Sequence, residues 1–338
     1  MRRLLTSAAP AAFLAFLALP VETLKSVAAL PAHLAGRVGE MTACEQAGDG
    51  RYFIFDRRSH TVFTAPPSRD TIQQIVQIGA EKGRLLRPTA FDLADDGTFV
   101  VADAPGGRGR IQVFHLSGAT LGGFTLSGHE VPVIVLDGTV LSGVGSLEYT
   151  GRSVLISQPE TGALITEYAM DGQAIRSFGS LRPTGHERDT AVHLALNAGL
   201  AVINPKGGFY FVFLAGTPAF RKYDASGNLI FERHIEGTEL DEYVRSMPTE
   251  WPRRKSNEGT ELPLVEPAIR AAAADGEGDL WVSLRKPFTY VYDNRGDKRR
   301  TVQFRAAGTM SPTRLSFTDK GQVLVTPGCY TFEPRGQA

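Results

Sequence analysis

Thr89-Ala90-Phe91-Asp92-Leu93-Ala94-Asp95-Asp96-Gly97-Thr98-Phe99-Val100-Val101-Ala102 reads as two strands joined by a tight turn. The first strand covers 89–94. Asp95-Asp96-Gly97 makes the turn, where glycine takes a positive φ without steric cost. The second strand is apolar on consecutive positions, as suits a strand buried on both faces. Arg110-Ile111-Gln112-Val113-Phe114 gives a third strand, and Phe114 is followed four positions later by Gly118. A fourth strand covers 121–126.

Both turn signals recur along the chain. The aromatic-to-glycine step returns at Tyr168 with Gly172, Tyr223 with Gly227, and Tyr292 with Gly296. Glycine turns return at Gly48-Asp49-Gly50, Thr150-Gly151, Lys206-Gly207-Gly208, Asp275-Gly276-Glu277-Gly278 and Asp319-Lys320-Gly321. Each precedes a β-rich run such as Tyr52-Phe53-Ile54-Phe55 or Leu280-Trp281-Val282-Ser283. A repeat of roughly 40–55 residues means a solenoid, an array or a propeller. One four-stranded sheet cannot bury both faces alone, whereas six arranged radially can, with few exposed edges. The expectation is an all-β, six-bladed β-propeller with four-stranded antiparallel blades, one domain over 29–338. The sixth unit is short of an outer strand, because only Tyr330-Thr331-Phe332 follows its second strand. A segment near the N-terminus, 27–34 or the run just after it, is expected to supply that strand and close the ring. The first unit departs from the pattern, with Pro66-Pro67 after Phe63.

The run Arg87-Pro88-Thr89-Ala90-Phe91-Asp92-Leu93-Ala94-Asp95-Asp96-Gly97, then Val100-Val101-Ala102-Asp103, then Arg110-Ile111-Gln112-Val113-Phe114 with Gly118, resembles an NHL-type repeat. The chain after residue 40 thus resembles the NHL-repeat six-bladed β-propellers of exported bacterial type. That resemblance implies a fold rather than an activity, since related propellers include binding modules, lactonases and lyases. The lactonase-like members hold a divalent metal with oxygen ligands from different inner strands, which suits calcium. Glu45, Glu148, Asn197 and Glu266 fall on or near predicted inner strands and are the candidates for such a set. They do not match the family's motifs residue by residue, so the expectation is no resident cofactor.

The N-terminus reads as an export signal over 1–28. Arg2 and Arg3 precede an apolar stretch, and Ser26-Val27-Ala28 is a small-x-small cleavage candidate. The apolar run is short for a spanning helix, so no stable membrane insertion is expected after cleavage. Periplasmic or secreted localisation follows. The chain has 338 residues with formal net charge +0 and no basic stripe, so nothing in its electrostatics points to nucleic acid. Cys44 and Cys329 are the only cysteines. They can pair in an oxidising compartment or remain two buried free thiols; the sequence leaves register unreadable, and free thiols are the preferred reading.

No Cys-x-x-Cys, His-Glu-x-x-His, Gly-x-Ser-x-Gly or phosphate loop is present, so catalytic residues stay unassigned and the reading leans away from an enzyme. The Asp-rich turn at Asp224 and the Arg295-Gly296-Asp297 tripeptide read as turn chemistry. Segments that join an outer strand to the next inner strand gather at the channel mouth, which directs attention to His129 and Glu130, to His186 and His193, and to a long insertion over 237–266. In that insertion Thr238 is read as capping a short helix with an acidic first turn, and Trp251 stands beside Arg253 and Arg254. An aromatic with an arginine pair is the composition favoured at energetic contacts; the bland alternative is that Trp251 folds back as a hydrophobic plug. The leading expectation is a binding or scaffold module of the cell envelope, taking a small-molecule ligand or a partner protein at the mouth. The alternative is a metal-dependent hydrolase or lyase with its site in the central channel.

Overall fold

Each apolar run behind a glycine turn becomes a strand sealed on both faces. In a computed structural model that describes residues 20–126, 134–136, 139–141, 146–255, 259 and 261–334, the chain begins with strand β1 (Val21–Ala28) and the short helix α1 (Ala32–Ala35). A first sheet follows in sequence order: β2 (Met41–Gln46), β3 (Tyr52–Asp56), β4 (Thr61–Ala65), β5 (Gln73–Ile78) and a short parallel β6 (Arg84–Leu85). A second holds β7 (Ala90–Leu93), β8 (Thr98–Asp103), β9 (Arg110–His115) and β10 (Thr120–Thr125). A ribbon of β11 (Ile134–Leu136) and β12 (Thr139–Leu141) precedes a third sheet of β13 (Leu147–Tyr149), β14 (Ser153–Ser157), β15 (Ala163–Ala169) and β16 (Ala174–Ser180). Helix α2 (Thr190–Asn197) leads into a fourth sheet of β17 (Gly199–Ile203), β18 (Phe209–Phe213), β19 (Ala219–Tyr223) and β20 (Leu229–His234).

The insertion carries α3 (Asp241–Arg245) and the hairpin of β21 (Arg253–Lys255) with β22 (Glu261–Pro263). The N-cap of α3 is Leu240, which makes no side-chain cap, so Thr238 does not start the helix as expected; Asp241 and Glu242 do form its acidic first turn. The remaining strands are β23 (Ile269–Ala274), β24 (Leu280–Leu284), β25 (Thr289–Tyr292), β26 (Lys298–Arg305), β27 (Arg314–Phe317), β28 (Val323–Thr326) and β29 (Tyr330–Phe332).

The first strands of these meanders form a ring: β2 lies against β7, β7 against β13, β13 against β17, β17 against β23, β23 against β27, and β27 against β2. The core fills the gaps between successive sheets. Phe53 and Phe55 pack on Phe91 and Phe99, and Trp281, fully buried, sits with Val302, Leu315 and Phe332. Leu324 and Cys329 pack back on Ile54 and Phe63 of the first sheet. Radial sheets around a closed inner ring make this an all-β propeller.

Two details differ from the sequence expectation. Separate sheets of blade size number four rather than six among the described residues, because β23 to β29 join with β1 in one eight-stranded sheet in the order β23-β24-β25-β26-β1-β29-β28-β27. The strand from the N-terminus within it is Val21–Ala28, not 27–34: it runs parallel to β26 (Leu24 opposite Phe304) and antiparallel to β29 (Ser26 opposite Phe332). The reason is chemical, since Pro31 ends the extended segment and opens α1, whereas Leu24 is 2% exposed in the apolar cluster around Trp281. The preference for free thiols is also overturned. Cys44 and Cys329 are disulfide-bonded, with Cα atoms 5.5 Å apart, beneath Leu30 and Leu34. No helix among the described residues is long and apolar enough to cross a membrane.

Candidate functional site

The inner ring strands are open-edged, so their outward N–H groups need partners from elsewhere. Three acidic side chains supply them in the same way. Glu45 on β2 accepts from Leu93 N on β7 (3.0 Å). Asp92 on β7 accepts from Tyr149 N on β13 (2.6 Å). Glu148 on β13 accepts from Ile203 N on β17 (3.3 Å). Each carboxylate thus clamps its own sheet to the next and brings negative charge to the channel.

Arg314, the first residue of β27, answers that charge. Its Nε donates to Glu45 Oε1 (2.8 Å) and its Nη2 to Asp92 Oδ1 (2.7 Å). Burial disfavours the guanidinium charge, but the carboxylates of Glu45, Asp92 and Glu148 outweigh it and hold Arg314 above its ordinary value. One cation does not neutralise three acids. Burial, then the charges of Glu148 and Glu45, push Asp92 well above the usual carboxylate range. Burial likewise pushes Glu148 up to about 7, against the opposing pull of Arg314.

Above this cluster the channel widens into a cavity of about 660 Å³ at the end where inner strands begin. Its wall is made of small residues from successive inner strands, including Ala43, Ala90, Ala201 and Ala271, with Leu200 and Leu214 adding apolar surface. Glu148 and Arg314 line it, whereas Glu45 and Asp92 stand behind them. The Glu40–Arg57 ion pair and Arg270 lie on the wall nearer the strand starts. The size is that of a pocket for a drug-sized molecule.

Of the inner-strand candidates read from sequence, Glu45 and Glu148 meet in this cluster. Asn197 does not: it ends α2, buried, bonding Arg182 N through Oδ1 (2.8 Å) and His193 O through Nδ2 (3.0 Å). Glu266 lies before β23 in an exposed ion pair with Arg285. The positions where a shared cation would sit are bridged by Arg314 itself, so the donors do not fit a resident divalent metal. Among the described residues, no three His, Cys, Asp or Glu side chains are placed to share a metal. Asp92 and Arg314 were missed in sequence. For Asp92 the signal was a lone charge among the apolar residues of β7, whereas Arg314 at the start of β27 carried none.

The mouth residues gather around α2. Asp189 caps α2 by accepting from Val192 N (3.3 Å) and forms an ion pair with Arg253. Trp251 packs on Val192, Ala195, Leu196, Ala215 and Val265, and its indole N–H has no partner among the described residues. His193 Nδ1 is 2.8 Å from Thr184 Oγ1, and His186 N donates to that same hydroxyl (3.2 Å). Arg254 is exposed on β21, facing Leu262 across the hairpin. None of these lines the cavity, yet α2 leads straight into β17, whose Leu200 and Ala201 do. His129 and Glu130 lie outside the described residues.

No protein-family model matches the sequence, and no curated protein matches it. Among solved structures, the chain is similar to virginiamycin B lyase from Staphylococcus aureus at 9% identity, over 84% of this chain and 76% of that one, with a TM-score of 0.49. It is similar to a catalytically inactive variant of that lyase with quinupristin at 10% identity, with the same coverage and a TM-score of 0.48. It is also similar to a protein of unknown function from Bacteroides caccae at 12% identity, over 78% and 81% of the two chains, with a TM-score of 0.47. No residue role is taken from these likenesses.

Proposed function

We propose that this protein is an exported, six-bladed propeller of the NHL type that binds a small organic molecule in the mouth of its channel, as a binding module of the cell envelope rather than an enzyme. The observation that carries the reading is the cavity of about 660 Å³, with apolar surface from Leu200, Leu214 and the inner-strand alanines, the Glu40–Arg57 pair and Arg270 nearer the strand starts, and Glu148 and Arg314 at its floor. The count of six is supported by the eight-stranded sheet, which divides at β1 into two meanders of four strands if β1 is counted with β29. On this reading β1 is the outer strand that closes the ring. Export is supported by the apolar N-terminal sequence and by the disulfide. Processing belongs before Val21 rather than after Ala28, because a cut at 28 would remove β1. On this reading the group at Trp251, Arg253, Arg254, His186 and His193 is the outer rim, against which a ligand too large for the cavity would rest.

The metal-dependent hydrolase or lyase alternative has no donor set among the described residues to carry it and is not pursued. The test is a thermal-shift screen of small organic molecules against the protein and against Leu200→Trp, which fills the cavity from its wall. Ligands that stabilise the first and not the second are expected; a screen with no such ligand would sink the reading. Elemental analysis of protein prepared without chelator is expected to find less than stoichiometric calcium or zinc, and a full equivalent of either would restore the alternative.

A further inference from the structure

We propose that the ligand of this cavity carries a protonated amine, received by Glu148 Oε1. The proposal rests on the reading of the cavity as the binding site and names the chemistry it selects. Three carboxylates approach the channel, and they differ in what they have left to offer. Glu45 uses Oε1 on Arg314 and Oε2 on Leu93 N. Asp92 uses Oδ1 on Arg314 and Oδ2 on Tyr149 N. Glu148 uses Oε2 on Ile203 N, while Oε1 accepts no hydrogen bond from a described residue. Glu148 is also the one of the three that lines the cavity. An acceptor open to the floor of a pocket is placed to receive a donor from a ligand.

Charge sets which donor. The groups facing Glu148 are Asp92 from β7, Glu45 from β2, Arg314 from β27 and, nearer the strand starts, Arg270 from β23 with the Glu40–Arg57 pair. Arg314 is already bound by two acids, so it does not stand free to receive an anion. An anion at the floor would face three carboxylates across one guanidinium. An ammonium reduces that excess of negative charge, and its charge-assisted bond is the stronger kind. The apolar wall around Leu200 and Leu214 then suits the body of an aryl- or alkylamine. The raised Glu148 carboxyl adds a consequence: the amine binds the ionised acid, so affinity rises with pH through about 7.

The experiment uses three probes of matched shape: 2-phenylethylamine, 2-phenylethanol and phenylacetate. Affinity for the full chain is measured by ligand-observed NMR titration at pH 5.5 and 8, with Glu148→Gln and Leu200→Trp as variants checked for native unfolding. The amine is expected to bind at least about ten-fold tighter than phenylacetate at pH 8, to weaken several-fold at pH 5.5, and to lose its advantage in Glu148→Gln. If the alcohol or phenylacetate binds as well as the amine and Leu200→Trp abolishes it, the amine proposal falls and the cavity reading stands. If none of the three binds, or Leu200→Trp changes nothing, both fall.

Discussion

Glu148 marks the point at which a structural clamp becomes a chemical group. Its carboxyl is raised to about 7 from an ordinary 4.5, chiefly by burial. The folded state therefore holds the proton more tightly than the unfolded chain. The stability that this contributes is complete below about 4.5 and is lost as pH rises through about 7. Glu148→Gln keeps an oxygen for Ile203 N–H and cannot ionise. Its stability relative to the unsubstituted protein is thus expected to improve by about 1–3 kcal/mol between pH 4.5 and pH 8; urea denaturation at both pH values gives the answer, and a difference independent of pH would refute it. Arg314 works in the opposite sense. Arg314→Met leaves Glu45 and Asp92 without their cation and is expected to cost about 3–5 kcal/mol at pH 8, and less at pH 5, below the value of about 7 to which the third acid, Glu148, is raised. Turn glycines set a further constraint. Gly118 has φ +84°, and a Cβ there would lie 2.2 Å from Ile75 O, so Gly118→Ala strains the backbone and forces β5 away.

At the scale of elements, the buried strands were legible and the seams between them were not. β3, β8, β14, β18, β24 and β28 all fall on runs whose consecutive apolar residues announced burial on both faces. The turn aspartates behaved as turn chemistry: Asp224 Oδ1 accepts from Ser226 N and Asn228 N, and Asp293 Oδ1 accepts from Arg295 N and Asp297 N. Two of the three acids of the cluster, Glu45 and Glu148, were visible, because the resemblance to lactonase-like propellers directs attention to carboxylates on predicted inner strands. The cluster's meaning was not, because Arg314 is brought to Glu45 from a strand at the other end of the chain and local sequence carries no record of such a meeting. β1 was misplaced for a related reason: Thr23, Lys25 and Ser26 give it no apolar run, and Leu24 alone faces the core. Its importance can be measured. A chain starting at Val21 is expected to be more stable by at least about 2–4 kcal/mol than one starting at Ala29, from burial of Leu24 and the ladders to β26 and β29. The shorter chain also exposes two strand edges and should aggregate. Equal stability would count against the proposal that β1 closes the ring. In the insertion, Trp251→Ala should lower stability by several kcal/mol if its packing on α2 is its whole role, whereas loss of ligand with stability intact would make it part of the rim.

For the whole molecule, the question is what keeps a ring of sheets from opening. A propeller has one seam where the chain's ends meet, and there connectivity ties the last strands to the first sheet only by way of β1, which pairs with β29 and runs on through α1 into β2. Here the seam lies between β27 to β29 and the first sheet. Arg69 crosses it, donating to Cys329 O (3.1 Å) and to Thr331 Oγ1, as does Ser316 Oγ to Cys44 O (2.9 Å). Arg314 crosses it through Glu45, and the disulfide does so covalently, joining residues 285 positions apart. A cross-link over so long a loop removes much freedom from the unfolded chain, on the order of 5 kcal/mol in the chain-entropy model. Both cysteines are buried, Cys329 at 0% exposure, so the bond is expected to resist a reductant until the seam opens. Cys44→Ala with Cys329→Ala should therefore unfold about 3–5 kcal/mol more easily than the oxidised protein. Its amide exchange should rise first in β2 and β28, while β14 and β18, across the ring, stay protected. Exchange that rises evenly through all the sheets would mean that the ring melts as one unit and that the seam is not its weak point.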